Sequence, residues 1–272
     1  DCYGHTCSSL THIEIPIYGV AGDQQSALFG QLAYDKGAMK CTYGTGCFIL
    51  INCGDYEISS KSGLLTTLAC GQNGDPVYAL EGSIFMGGAV IQWLRDELQI
   101  ISRAEETFDM AMSVPDSGET VIVPAFTGLG APHWNSEVRG AILGMHRGTN
   151  RNHIARAALE SIAFQVSDLI NAVTGDLKIC PKALFVDGGA VKNDFLMQFQ
   201  ADILNMTIHR PVQIETTALG AAYLAGLGCG FWASINELKQ FRSIEKIFTP
   251  SMDQKEREWN LKKWNDAVAK LI

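Results

Sequence analysis

The chain has 272 residues, 47% of them hydrophobic, and a net charge of −8 at pH 7. That apolar share can bury the core of one large domain or two small ones, and the acidic balance excludes generic nucleic-acid binding. No apolar run approaches the ~20 residues that a membrane span requires.

The opening residues, "DCYGHTCSSL", have neither the basic nor the apolar region of a signal peptide and no initiator Met. They are expected to be a cut end or hinge, over residues 1–14, of a longer protein. Ile13–Val20 reads as a strand, with Ile13, Ile15, Ile17 and Val20 apolar, and Gln24–Lys36 as a helix. Cys41–Asn52 reads as β-structure folded about "YGTG". Ser83–Leu98 reads as a helix, Thr120–Pro124 as a short strand and Ala125–Asn135 as a Gly/Pro-rich loop. A strand at Ala141–Met145 precedes a long helix over Arg151–Val173, in which Ile154, Ala158, Ile162, Leu169 and Val173 recur at helical spacing. Ala183–Ala190 reads as a buried strand entering a glycine turn. Helices over Asn193–Leu204, Thr217–Leu227 and Lys255–Ile272 complete the chain. Alternating strands and helices with glycine turns at strand ends predict an α/β fold, with ligands at the carboxyl ends of the strands.

The eight cysteines are Cys2, Cys7, Cys41, Cys47, Cys53, Cys70, Cys180 and Cys229. They form no CxxC pair and have no paired histidines nearby, so zinc-ligand spacing is absent. Reduced thiols in the cytoplasm are expected. The histidines His133, His146 and His153 lack metal or nucleophile-pair spacing and are expected to be structural. Trp134 could line a cleft or anchor its loop, and Arg139 and Arg147 could meet phosphate or form surface pairs.

Four glycine junctions carry the chemistry. In "AGDQQ", Asp23 stands at a strand-to-helix turn, where it could cap the helix or orient a hydroxyl and take its proton. In "TYGTGCF", Gly44, Thr45 and Gly46 allow backbone amides and a hydroxyl close to an anion, or simply make a hairpin turn. No Walker motif is present, which excludes a P-loop NTPase. "VDGGAVKND" brings a strand end and a helix start against a ligand, but it is not the GxGxxG of a dinucleotide fold. "ALGAAYLAG" offers small residues for tight helix packing.

Together and in this order, these segments resemble the FGGY family of carbohydrate kinases, whose fold is the actin/Hsp70/hexokinase-like ATPase fold with a ribonuclease H-like core. "GAILGMHRGTNRNHIARAALE" resembles that family's C-terminal signature. "GDQQSALFGQ", "GLLTT", "ALEGSIFMGGAVIQWLRDE", "VPAFTGLGAPHW" and "VDGGAVKNDFLMQFQADIL" are similar to the members that phosphorylate glycerol. The resemblance covers the chain from about Ile15 onward and implies only the C-terminal half of a two-domain kinase, its N-terminal domain absent. It implies Asp23 as the catalytic base and a substrate contact, Gln24 as a glycerol contact and Phe48 as the apolar wall against the substrate. It implies Thr45, Gly88, Gln92, Gly189 and Asn193 as nucleotide contacts. ATP and ADP, Mg²⁺ carried with the nucleotide, and a homo-oligomeric complete protein are implied as well. "TCSSLTH" (Thr6–His12) departs from the loop with which some members bind fructose 1,6-bisphosphate. A kinase for another small polyol or ketose, and a non-catalytic ATPase-fold binding module, are the alternative readings.

Overall fold

In the computed structural model, which describes residues 2–71, 75–179 and 181–272, seven strands form one mixed sheet. In chain order they are β1 (Met39–Tyr43), β2 (Cys47–Gly54), β3 (Leu65–Ala69), β4 (Val77–Ile84), β5 (Ala183–Asp187), β6 (Thr207–Pro211) and β7 (Ile244–Phe248). Their spatial order is β7-β6-β5-β1-β2-β4-β3. β6, β5 and β1 run parallel, and the flanking strands on both sides pair antiparallel. The helices used below are α1 (Asp23–Gly30), α2 (Ala89–Asp96), α3 (Glu106–Met112), α4 (Arg151–Leu177), α5 (Asp194–Leu204), α6 (Thr216–Gly228) and α7 (Gln254–Ala269).

Alternation along β1 and β2 divides the sheet into two different faces. Met39, Cys41 and Tyr43 of β1, with Cys47, Ile49 and Ile51 of β2, enter the main core with Ala158, Ile162 and Val166 of α4. Lys40 and Thr42 point to the opposite face, where Leu50 packs with Leu28, Ala33 and Ala79. α4 is buried along most of its length, which agrees with the apolar spacing read from the sequence. Its first turn is closed by Asn150, whose side chain accepts from the amides of Asn152 (2.9 Å) and His153 (3.4 Å).

α1 lies against α6 with almost no space between the backbones. A Cβ on Gly220 would sit 1.8 Å from the Ser26 carbonyl oxygen, and one on Gly30 would sit 2.1 Å from that of Thr216. Ser26 Oγ donates to the Thr217 carbonyl at 2.7 Å across the contact. The small residues of "ALGAAYLAG" therefore serve close packing, as their sequence spacing predicts.

Several boundaries differ from the sequence reading. Ile13–Val20 is a strand only at Pro16–Ile17, pairing with Gly4–His5, and its four apolar residues are exposed. The segment joins no larger sheet, and Pro16 removes a ladder donor. α1 ends at Gly30, well before Lys36, because Leu32 takes the left-handed region (φ 54°) and turns the chain away. The helix expected over Ser83–Leu98 is β4 up to Ile84, followed by a turn and then α2. Leu80, Gly82 and Ile84 alternate onto one buried face, and a Cβ on Gly82 would meet Leu169 Cδ1 at 2.5 Å. β3, β6, β7 and α3 were not expected from the sequence. Among the described residues the cysteines are free; Cys180 lies outside them. Among the described residues no helix is long and apolar enough to cross a membrane.

The α1–α6 contact yields a stability test. Gly220→Val is expected to cost at least about 1–3 kcal/mol through overpacking. Gly175→Ala, at an exposed position of α4 where a new Cβ meets nothing within 4 Å, is expected to gain about 0.5–1 kcal/mol. Denaturant midpoints of the two variants measured side by side check both signs.

Candidate functional site

The site begins where two backbone turns press together. Gly44 accepts a hydrogen bond from the Gly88 amide (2.8 Å), and the Thr45 carbonyl accepts from Gly87 (2.9 Å) and Ala89 (3.0 Å). A Cβ on Gly46 would sit 2.4 Å from the Ile84 carbonyl oxygen, and one on Gly88 2.8 Å from that of Gly44. Glycine is needed at both positions because backbone occupies the space of a side chain. This junction ties the β1–β2 turn to the start of α2. The hairpin reading of "YGTG" holds: the turn joins two antiparallel strands in register from Met39↔Ile51 to Tyr43↔Cys47.

Behind the junction opens a cavity of about 500 Å³. Thr45, Gly88, Gln92, Gly189 and Asn193 all line it, so the five positions assigned to a nucleotide come together although they lie on three separate segments. Ile91, Leu159, Ile162 and Leu196 supply apolar wall. Gly188 takes φ 90° and leaves no room for a Cβ against the Tyr43 carbonyl (2.6 Å), whereas a Cβ on Gly189 would meet nothing within 4 Å. The first glycine is thus required by the fold, and the second leaves the cavity open. Asn193 caps α5 by accepting from the Leu196 amide (3.1 Å), and its Nδ2 donates to Thr107 Oγ1 (3.1 Å) on α3.

The α3 side of the cavity, with Thr107 and Phe108, escaped the sequence reading. The i, i+4 spacing of Thr107 and Ala111 was the available signal, but the helix has only seven residues and its other apolar side chains, Phe108, Met110 and Met112, are not buried. Arg95 and Lys192 also line the cavity. Arg95 is held by Asp96 through paired bonds of 2.7 and 2.9 Å.

Asp23, Gln24 and Phe48 lie outside the cavity lining, on the other face of the sheet. Gly22, extended at φ −62° and ψ 153°, is the N-cap of α1, and Asp23 is its first helical residue with no capping bond. The cap reading of Asp23 is therefore corrected: Gly22 holds the cap position, and the carboxylate accepts only locally, from the Gln24 amide at 2.8 Å and Gln24 Nε2 at 3.5 Å. Asp23 is exposed. Phe48 is half-buried and stands in register between Thr42 and Ser83.

Two buried charged residues were missed on this face. Lys40 is fully buried, and its Nζ donates to Gln24 Oε1 and, at 2.8 Å, to Thr42 Oγ1. Asp187 is buried and accepts from Gln31 Nε2 (2.8 Å) and Thr216 Oγ1 (2.6 Å). Burial pulls the Lys40 ammonium below the usual lysine range, while Asp187, Glu81 and Asp23 oppose that pull. Burial raises the Glu81 carboxyl above its ordinary value, and Lys40 opposes it.

His133, His146, His153 and Arg139 make local contacts that hold the fold. His133 Nε2 lies 3.3 Å from Asp168 Oδ2, which also accepts from Trp264 Nε1 at 2.7 Å. His146 Nδ1 accepts from the Gly148 amide, and His153 joins the Asn150 cap. Arg139 donates to the carbonyls of Ser136 and Val138. Among the described residues no group of three or more His, Cys, Asp or Glu is gathered to hold a metal ion.

With this geometry in hand, similarity to known proteins becomes informative. Glycerol kinase 2 of Thermotoga maritima is 55% identical over 270 residues, 99% of this chain and 54% of that protein. The crystal structure of Plasmodium falciparum glycerol kinase with ADP superimposes with a TM-score of 0.92 at 41% identity, covering 100% of this chain and 55% of that one. The gluconate kinase of Lactobacillus acidophilus matches with a TM-score of 0.77 at 26% identity, over 90% of this chain and 49% of that one. The chain thus spans about half the length of the relatives it matches. The sheet order and helices described above are those of the actin/hexokinase-like ATPase fold that these kinases share. Residues 39–229 match the C-terminal domain of the FGGY family of carbohydrate kinases, and the chain belongs to that family.

Proposed function

We propose that this chain is the nucleotide-binding half of an ATP-dependent glycerol kinase, working with a second half of similar size, and that it also supplies the catalytic base. The observation that carries the reading is the cavity, where Thr45, Gly88, Gln92, Gly189 and Asn193 converge from separate segments. Its apolar wall and volume suit a purine nucleoside, since ligand sites of this kind run to several hundred Å³. Thr45 is exposed, and the bonds of the glycine junction use its carbonyl, so its amide and hydroxyl are available to a phosphate. The 55% identity to a glycerol kinase supports glycerol over another polyol or ketose, with 26% identity to a gluconate kinase as the contrast.

Phosphoryl transfer asks mainly for positioning and charge stabilisation. Asp23 would orient the attacking hydroxyl and accept its proton, Gln24 would donate a hydrogen bond to the same substrate, and Phe48 would cover its carbon backbone. Asp23 is a hard oxygen donor with lone pairs its neighbours leave unused, the ligand chemistry that Mg²⁺ takes from one or two carboxylates. Mg²⁺ carried on the phosphates would neutralise charge on their oxygens. Free thiols at Cys41, Cys47 and Cys53 support a cytoplasmic setting for this enzyme. A homo-oligomer is proposed for the complete protein on the family resemblance alone.

Asp23→Asn in the two-half protein is expected to lower turnover about 10²–10⁴-fold while nucleotide affinity stays near wild type. Turnover equal to wild type would remove Asp23 as the base. Gly189→Phe is expected to leave the unfolding midpoint unchanged, because a side chain there enters open space, and to weaken ADP binding about tenfold or more. Calorimetric titration of this variant with ADP reads the effect. In a substrate panel, phosphorylation of glycerol should exceed that of xylulose and gluconate; a reversed order would favour the ketose alternative.

A further inference from the structure

Among the described residues Lys40 is the one fully buried ammonium on the sheet face below Asp23, and nothing in the proposed chemistry yet uses it. We propose that Lys40 is a positioning residue: it fixes the side-chain amide of Gln24 so that the NH₂ end, rather than the oxygen, faces Asp23 and the substrate hydroxyl. This rests on the reading of Gln24 as a glycerol contact.

The argument is one of donor and acceptor identity. An ammonium has three donors and no acceptor, so only the oxygen end of an amide can bond to it. Lys40 Nζ donates to Gln24 Oε1, and Gln24 Nε2 then lies 3.5 Å from Asp23 Oδ2. Without the lysine only the long 3.5 Å contact to the exposed Asp23 carboxylate would choose between two ends of nearly equal shape. A second acceptor, Thr42 Oγ1 at 2.8 Å, holds Nζ from the β1 side and so prevents it from swinging away with Gln24. Thr42 stands directly opposite Phe48 and Asp187 in the sheet register.

The burial of this charge is costly, and its compensation is spread out. Among the described residues Lys40 makes no ion pair. Its partners at hydrogen-bond distance are a neutral amide and a hydroxyl, with Asp187, Glu81 and Asp23 acting from farther away. A lysine retained only for stability would be expected to sit against a carboxylate, since breaking up a close buried pair is what costs most. Here the ammonium instead faces the amide of a residue adjacent to the proposed base.

A double-mutant cycle in the two-half protein tests the link. Lys40→Met is expected to raise the KM for glycerol about tenfold and to leave the KM for ATP within about twofold. In a Gln24→Ala background the same change should move the glycerol KM less than about twofold, because the residue through which Lys40 acts is gone. Additive effects, an equal rise in both KM values, or an unchanged glycerol KM would each overturn the proposal. Should Lys40→Met fail to fold, Gln24→Glu keeps an oxygen for Lys40 and removes the NH₂ donor. It should fold and raise the glycerol KM by a similar factor, and a wild-type KM there overturns the proposal. An additive cycle beside an inactive Asp23→Asn removes the Lys40 role alone. A protein without glycerol turnover removes the kinase reading instead, and the cycle is then read on unfolding midpoints, where independent shifts overturn the Lys40–Gln24 link.

Discussion

The contact on which the site depends is backbone against backbone. Where Gly44, Thr45 and Gly46 meet Gly87 and Gly88, the carbonyl oxygens of one turn take the amides of the other, and no side chain fits between them. This close approach seats the first turn of α2 on the end of the central sheet. It also satisfies amides at the helix start that would otherwise have no partner inside the helix. Gln92 and Gly88 reach the cavity because α2 is anchored there. A junction held by main-chain hydrogen bonds is stiff, and stiffness is what the proposed phosphoryl transfer would require of this wall.

A second close approach, between α1 and α6, does the same on the other face of the sheet. Gly30 and Gly220 allow α1 to lie against α6, and Ser26 bonds across the seam. α1 therefore carries Asp23 and Gln24 on a rigid element, although both residues are in its first turn. Gln31, just past the helix, donates to Asp187 at the end of β5, linking α1 to the strand whose following turn lines the cavity. Lys40 of β1 bonds Gln24 of α1 and Thr42 on its own strand, and Thr42 stands beside Asp187 of β5 in the sheet.

Much of this was legible in the sequence for physical reasons. α4 announces itself because its apolar residues repeat over many turns, and the "VDGGAVKND" turn because an apolar strand runs directly into glycines. The five cavity positions were legible from the family resemblance and not from periodicity. Edge strands β3 and β7 were missed because they are partly exposed and lack a clear alternation. The Ser83 boundary was misplaced because Leu80, Gly82 and Ile84 blend into the helical pattern that follows them. Asp23 illustrates the limit of a local rule: an acidic residue at a strand-to-helix turn looks like a cap, yet a preceding glycine can occupy that position and free the carboxylate.

Lys40 was hidden for a related reason. Within "MKCTY" it alternates with Met39, Cys41 and Tyr43, all fully buried on the opposite side. A charged residue in that register reads as the solvent-facing half of an amphipathic strand. Only the tertiary cover of α1 and α6 makes that face an interior, and it turns an apparent surface lysine into a buried cation. On the proposed function, an acidic chain meeting an anionic cosubstrate would place its positive groups sparingly. Arg95 at the cavity is already held by Asp96, and Lys40 lies under the acceptor side. In the proposed kinase the phosphate side would then be served by backbone amides, the Thr45 hydroxyl and Lys192 at the cavity wall. Such a division would put the interior cation where a carboxylate and a hydroxyl are to be held in one orientation, and would leave the anion largely to dipoles that add no net charge to the chain.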